Sequence, residues 1–348
     1  MKSPRARLTP LAYILPMLAI VLLVFFAVSV IAMAIFFVRH NNEPEIMGVS
    51  FSQVQAERYG VDWRKAYTAT IEDLGFRHIR IATYWNRIEK SPNEYDFSEL
   101  DYMVAEAERY NAKLKFVVGQ KVIRWPECFY PDWLDKNNPE VVGREANELI
   151  AATVERYNNS PAIETWQVEN EFLLKTFGEC PKANLTNAAL EKEIDTVRAI
   201  DQSRPIELTQ SNQNGFPFLG PSTETFGFSM YRVVHNNLFG YFIYPQNGIY
   251  NWWKAALIEI YRNTQVTIHE LQGEAWGHTG NEDLSWEEAS KSMNPEQLRD
   301  NIAYARQTQI KTYYLWGAEW WYWLKETQDH PEMWQTVKDE LQHSKTRQ

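Results

Sequence analysis

The sequence predicts an α/β chain, an eight-stranded (β/α)8 TIM barrel preceded by one N-terminal transmembrane helix. Three observations carry this. Short apolar runs alternate with longer amphipathic stretches along residues 46–342, the pattern of a parallel sheet with helical crossovers. Eight such strand candidates occur, the number that closes a barrel. Ahead of them, residues 8–38 hold no charged side chain.

The N-terminal stretch reads as a membrane span. Lys2, Arg5 and Arg7 precede it, and Arg39 and His40 close it. About 20 apolar residues cross a bilayer as a helix. The run is too long for the apolar region of an ordinary cleaved signal. Ala32-Met33-Ala34 resembles a cleavage site, but Ile35-Phe36-Phe37-Val38 continues the apolar run past it. A buried core helix is the competing reading, and no polar face interrupts the run to favour it. Basic residues ahead of the span keep the N-terminus cytoplasmic. The expected division is therefore residues 1–40, a cytoplasmic N-terminus and signal anchor of the cell membrane, and residues 41–348, one extracytoplasmic barrel domain.

Strand candidates follow at 46–51, 77–82, 113–118, 163–168, 205–209, 225–230, 266–269 and 312–316. Helices are expected at 62–74, 98–110, 143–157, 185–200, 250–262, 295–308 and 331–342. Asp62 is placed to cap the first of these and Gly75 to stop it. An open doubly wound sheet is the runner-up. It wants a glycine-rich phosphate turn after its first strand, where this chain has Ser52-Gln53-Val54-Gln55.

Composition narrows the partners. Residues 1–40 hold four basic and no acidic residues, which leaves 31 Lys and Arg against 45 Asp and Glu, a formal charge of −14. Nucleic-acid binding wants clustered positive charge, so nucleic acid is not an expected partner. Aromatics make up 14% of the chain, with 14 Trp. Such rings stack on sugar faces, although many fill cores. The two cysteines, Cys128 and Cys180, lack metal-ligand spacing. Each follows a strand candidate by roughly ten residues, and outside the cytoplasm we expect them to form a bridge.

In barrels of this class the strand C-termini carry the chemistry. Here they are crowded with polar and aromatic residues. The second strand contains Arg80 and leads to Tyr84, Trp85 and Arg87. The third leads to Gln120, Arg124 and Trp125. The fourth ends in Glu169-Asn170-Glu171, and the fifth leads to Gln210-Ser211-Asn212-Gln213-Asn214. Tyr231 and Arg232 follow the sixth, and His269-Glu270 end the seventh. Trp316 ends the eighth, followed by Glu319, Trp320 and Trp321. One Glu at the fourth strand and one at the seventh face each other across a barrel mouth. Paired carboxylates are the minimal equipment for cleaving a glycosidic bond. A lone Glu is more often a solvated surface charge; two at the ends of apolar strands are a stronger signal.

The motif Trp166-Gln167-Val168-Glu169-Asn170-Glu171 resembles the strand-four signature of clan A glycoside hydrolases, retaining (β/α)8 enzymes that include cellulases, mannanases and β-galactosidases. Trp85-Asn86-Arg87-Ile88-Glu89 with Tyr95-Asp96-Phe97-Ser98-Glu99-Leu100-Asp101 resembles another segment of that clan. The resemblance implies Glu171 as acid/base, Glu270 as nucleophile and Asn170 as a contact to the sugar 2-hydroxyl. It also implies Arg80 and Tyr231 as supports of the nucleophile and Trp316 as a sugar platform. Trp125 joins these as a candidate sugar contact. Neither a metal nor an organic cofactor is implied.

Alternatives stay open at two positions. Glu169 would share a face with Glu171 on a regular strand, and only the Asn-Glu order favours Glu171. Glu274 competes with Glu270, which is preferred because it ends the apolar strand. Two other functions compete with this one. One is a membrane-tethered carbohydrate-binding protein without catalysis; the other is an aldolase-like or phosphate-handling barrel. The second lacks a lysine at a strand end or a glycine-rich loop after the last strands.

Overall fold

The computed structural model describes residues 11–346 apart from 173, 175–176, 181–185 and 212–219. Lys2, Arg5, Arg7 and the expected polar run Asn212-Gln213-Asn214 lie outside the described residues. Eight strands form a closed barrel: β1 (Ile46–Ser50), β2 (His78–Ala82), β3 (Lys113–Val118), β4 (Ile163–Val168), β5 (Ile206–Gln210), β6 (Thr225–Met230), β7 (Gln265–Gln272) and β8 (Thr312–Trp316). Each pairs in parallel with its sequence neighbours, and β1 closes on β8 with Ile46 opposite Thr312 and Ser50 opposite Trp316.

Helices cover the outside, and their starts are set by side-chain caps. Asp62 accepts from the backbone N–H of Arg64 and Lys65, Asn138 from Glu140 and Val141, and Asn294 from Glu296 and Gln297. Each such cap is worth about 1 kcal/mol. Gly75 ends the first barrel helix at φ +87°, a conformation glycine adopts without strain. The last turns of that helix, Thr70–Leu74, are π-helical rather than α.

Inside the barrel, below the mouth, the Lys115 ammonium donates to both carboxylate oxygens of Glu207 at 2.7 Å. Thr267 adds a third donor at 2.8 Å. Every polar atom of this buried pair is thus met, as burial of charge demands.

Besides several short helices and a small hairpin in the loops, three departures from the expected order of elements matter here. A hairpin of Val233–Asn236 and Gly240–Ile243 follows β6. A helix, Ala318–Thr327, starts directly after β8, so Glu319, Trp320 and Trp321 are buried helix residues and not strand-end groups. Strand β7 runs to Gln272, longer than the four residues expected, with its register shifted between Ile268 and Glu270. The N-terminal helix, Leu11–His40, is long and apolar enough to cross a membrane. It packs along the helix Gly248–Arg262 through Phe25 against Trp253 and Phe37 against Trp252.

Candidate active site

The C-terminal ends of the strands open into a cavity of about 360 Å3. Glu171, Glu270, Asn170, Tyr231, Trp316 and Trp125 all line it. Arg80 lies just beneath, fully buried. All seven residues expected at the site therefore converge on one end of the barrel.

Glu270 is held from two sides. Arg80 Nη1 donates to its Oε1 at 2.9 Å, and the Tyr231 hydroxyl donates to its Oε2 at 2.8 Å. The Arg80 fork is itself fixed, with Nε donating to Gln167 Oε1 at 2.7 Å and Nη2 to Asn170 Oδ1 at 2.6 Å. Because Asn170 accepts through its oxygen, its amide N–H groups are oriented away from the guanidinium. The shifted register in β7 is the device that turns Glu270 inward. A bulge lets successive residues escape the strict alternation of a strand and re-aims a side chain.

Glu171 has a different housing. Ser229 donates to its Oε1 at 2.8 Å, and its backbone N–H is tied to Thr209 Oγ1 at 2.9 Å. Burial, and next the negative charge of Glu270, push its carboxyl up to about 8. Between the two glutamates lies the His269 ring, Nε2 at 3.8 Å from Glu171 and 3.7 Å from Glu270. Burial and the nearby Arg80 charge drive its pKa down, which keeps the ring neutral. One oxygen of Glu171, one of Glu270 and a His269 nitrogen all lie within 4.8 Å of one another. Among the described residues this is the group whose spacing would suit a metal ion. Arg80 and Tyr231 already satisfy Glu270 there, and a cation would face the guanidinium.

Glu169 does not share the face of Glu171. Both residues have positive φ, +63° and +44°, so the chain leaves the strand alternation at the end of β4. Positive φ in non-glycine residues costs on the order of 1–3 kcal/mol and persists where surroundings enforce it. The enforcing contacts are visible: Glu169 accepts from the backbone N–H of Gln120 at 2.8 Å and of Lys121 at 2.6 Å. Burial raises its pKa to about 7, and Glu193 abuts it from the helix Asn187–Ile200 with a pKa also raised by burial. A side chain on Gly119 would collide with the Glu169 carboxylate, its Cβ meeting Oε1 at 2.3 Å.

Glu274 belongs to a second layer of the cavity. It accepts from Arg124 Nη1 at 2.5 Å and from Trp316 Nε1 at 2.9 Å. Arg124 also bridges to Glu319 and lies over the Trp316 ring at 4.2 Å from its centroid. One face of Trp316 is thus taken by the guanidinium. Glu127, buried, pairs with Lys121 at 2.9 Å and accepts from Asn170 Nδ2 at 3.4 Å. The rim is aromatic: Trp125, 47% exposed, meets Phe177 edge-on at 5.6 Å, and Phe177 meets Trp276 at 6.3 Å. A disulfide, Cys128–Cys180, ties the loops after β3 and β4 beside this rim, as expected of the two cysteines.

Ser229, Gln167 in its role under Arg80, and Glu127 go beyond the residues that the sequence singles out for the site. For Ser229 and Gln167 the available signal is the strand period, which points them inward. Arg124, Glu274 and Glu319 stand near strand ends in the sequence, but that they join in one network has no signal there, because they come from separate segments, Glu319 from the helix Ala318–Thr327.

Residues 40–320 match the cellulase family, glycosyl hydrolase family 5. The chain belongs to that family. No curated protein sequence matches it. Solved structures of similar fold include the β-galactosidase of the Antarctic haloarchaeon Halorubrum lacusprofundi (13% identity, TM-score 0.52, 78% of this chain and 52% of that one). An exo-β-1,4-mannosidase from Opitutaceae bacterium strain TAV5 is similar at 14% identity and TM-score 0.55, over 78% of this chain and 51% of the other. The intracellular xylanase of Thermoanaerobacterium saccharolyticum is similar at 14% identity and TM-score 0.51, over 80% and 90%. This family 5 chain spans about half the length of the first two enzymes. At these identities the likeness is one of fold.

Proposed function

We propose that the chain is a membrane-tethered retaining glycosidase that hydrolyses β-linked oligo- or polysaccharides by double displacement. The observation that carries this reading is the approach of Glu171 and Glu270 to within 4.8 Å between carboxylate oxygens. Retaining enzymes hold their carboxyl groups about 5–5.5 Å apart, whereas inverting ones leave about 6.5–9.5 Å for a water. Family 5 membership supports the same chemistry.

Glu270 is the nucleophile. Arg80 and Tyr231 hydrogen-bond its two oxygens and aim it. Glu171 is the acid/base and starts protonated, as its raised pKa requires. Glu270 attacks the anomeric carbon while Glu171 gives its proton to the departing glycosidic oxygen. Glu270 is then an uncharged ester, which removes the charge that, beside burial, raises the Glu171 pKa. Glu171 can accept a proton from water, and the water oxygen releases the sugar with its original configuration. Asn170 directs its amide toward the sugar 2-hydroxyl, and Trp125 and the open face of Trp316 flank the ring.

The helix Leu11–His40 anchors residues 41–348 outside the cytoplasm. Its support is twofold: an apolar length sufficient to cross a bilayer, and specific contacts to the barrel. His40 Nε2 lies 2.8 Å from Glu259 Oε1, and Arg39 lies 3.8 Å from the same carboxylate. Aryl β-glycosides and β-glucans offered to the full chain test the activity, with the anomer of the first product read by NMR. Release of the β-anomer is expected; release of the α-anomer, or no release from any of them, overturns the reading.

A further inference from the structure

We propose that the barrel wall made by the helix Gly248–Arg262 and the hairpin Val233–Ile243 is a lipid-contacting face, seated in the surface of the bilayer that holds the N-terminal helix. This goes beyond the proposed activity and rests only on the anchor.

The distribution of exposed apolar side chains points there. Among the described residues outside the N-terminal helix, the large exposed hydrophobics are Trp125 and Phe177 at the cavity rim, and a cluster within residues 238–261. Leu238 and Phe239 at the hairpin turn are 79% and 74% exposed, and Ile243, Ile249 and Ile260 are each more than half exposed. Residues 236–253 contain no charged side chain. The helix Pro295–Gln307, an ordinary barrel helix, turns Glu296, Arg299 and Asp300 outward. The helix Gly248–Arg262 instead exposes Ile249 and Ile260, with Trp253 and Leu257 half-buried between them at helical spacing, while Asn251, Lys254, Ala255 and Ile258 face inward. A helix whose outer stripe is apolar wants a non-aqueous neighbour.

The neighbour is identified by continuity. The N-terminal helix buries Ser29, Ala32, Phe36 and His40 along this same wall, and its contacts to the wall run from Phe25 to His40. At 1.5 Å per residue that is about 22 Å, more than half of a bilayer's hydrocarbon thickness. The outer sides of the N-terminal helix at Val24, Val28 and Ile35 are exposed too. Anchor and wall thus form one apolar surface. Trp252, Trp253 and Tyr250 lie on it, ring types that favour the headgroup level.

The test uses the full chain reconstituted in phosphatidylcholine vesicles. Cys128 and Cys180 are bonded to each other, so a thiol-reactive, polarity-sensitive fluorophore labels only an introduced cysteine. Leu238→Cys and Ile260→Cys carry the label on the proposed face, and Glu155→Cys carries it on an exposed helix elsewhere. The expected result is blue-shifted emission at Leu238→Cys and Ile260→Cys, quenched by half or more when the vesicles contain acyl-chain nitroxide lipid, with neither effect at Glu155→Cys. Labels as water-exposed and unquenched as the Glu155→Cys control overturn the proposal. So does emission that shifts with protein density and ignores nitroxide, which would mean that a second copy covers the face. A chain that fails to float with the vesicles overturns the anchor itself and the proposal with it, while glycoside cleavage, assayed separately, would stand.

Discussion

Strands β4 and β7 each deliver one glutamate to the same cavity, and the two are housed in contrasting ways. Their burial is alike, with Glu171 7% and Glu270 5% exposed. Desolvation alone would therefore treat them equally. What differs is the company. Glu270 receives a guanidinium and a phenol, whereas Glu171 receives one serine hydroxyl and faces the charge of its partner. Burial raises the pKa of the Glu171 carboxyl most, and the charge of Glu270 adds to it. The two housings differ in their neighbours, Arg80 on β2 and Tyr231 just past β6 for Glu270, Ser229 on β6 for Glu171.

The most severe way to break this contrast is to remove the charge at β7. Glu270→Ala should lower kcat by about 10⁴-fold or more, and azide should restore turnover of an activated aryl glycoside as the inverted glycosyl azide. Wild-type activity in this variant would falsify the assignment. Glu171→Ala comes next. It should cost about 10²–10⁴-fold with alkyl leaving groups and little in the first step with nitrophenolate, and a Brønsted plot against leaving-group pKa measures the split. Tyr231→Phe removes one hydrogen bond to a charged group, worth about 1.5–3 kcal/mol, so kcat should fall roughly 10- to 100-fold.

A gentler change sharpens the contrast through pH. Activity needs Glu171 protonated, so kcat/KM should fall as pH rises past about 8. The Ser229 hydrogen bond favours the ionised form and lowers that pKa. Ser229→Ala should therefore move the alkaline limb to higher pH, with little loss near neutrality; a limb that moves down contradicts the role given to Glu171. The smallest effect on rate belongs to Glu169→Gln. It should leave the pH profile in place and destabilise the fold by about 1–3 kcal/mol, read as a lowered Tm, because an amide N–H would oppose one of the two backbone donors.

Strand period located the barrel ends, and the resemblance to clan A glycoside hydrolases picked the residues there. Asn170, Glu171, Tyr231 and Trp316 sit at or just past strand ends, while Arg80 lies within β2 and Glu270 within β7. Glu169 was not separable from Glu171 by that logic. The two positive φ angles that part them leave no trace in residue type, since glutamate is not a residue that signals a left-handed turn. The bulge in β7 is equally silent, because Val266–His269 alternates no differently with it than without it. Glu274 is decided by partners distant in sequence, Arg124 after β3 and Trp316 at the end of β8. The helix beginning at Ala318 is masked by aromatics that read as strand-end residues.

The bridge between Cys128 and Cys180 reaches across 52 residues, and Glu169, Asn170 and Glu171 lie inside the ring it closes while Arg80, Tyr231 and Glu270 lie outside. Cross-linking a loop of that length restricts the unfolded chain by about 4 kcal/mol in the chain-entropy model. A reductant would therefore act unevenly on the two halves of the cavity. The acid/base side and the Trp125–Phe177 corner would lose their covalent brace, while the strands that hold the anionic side would keep every link they have.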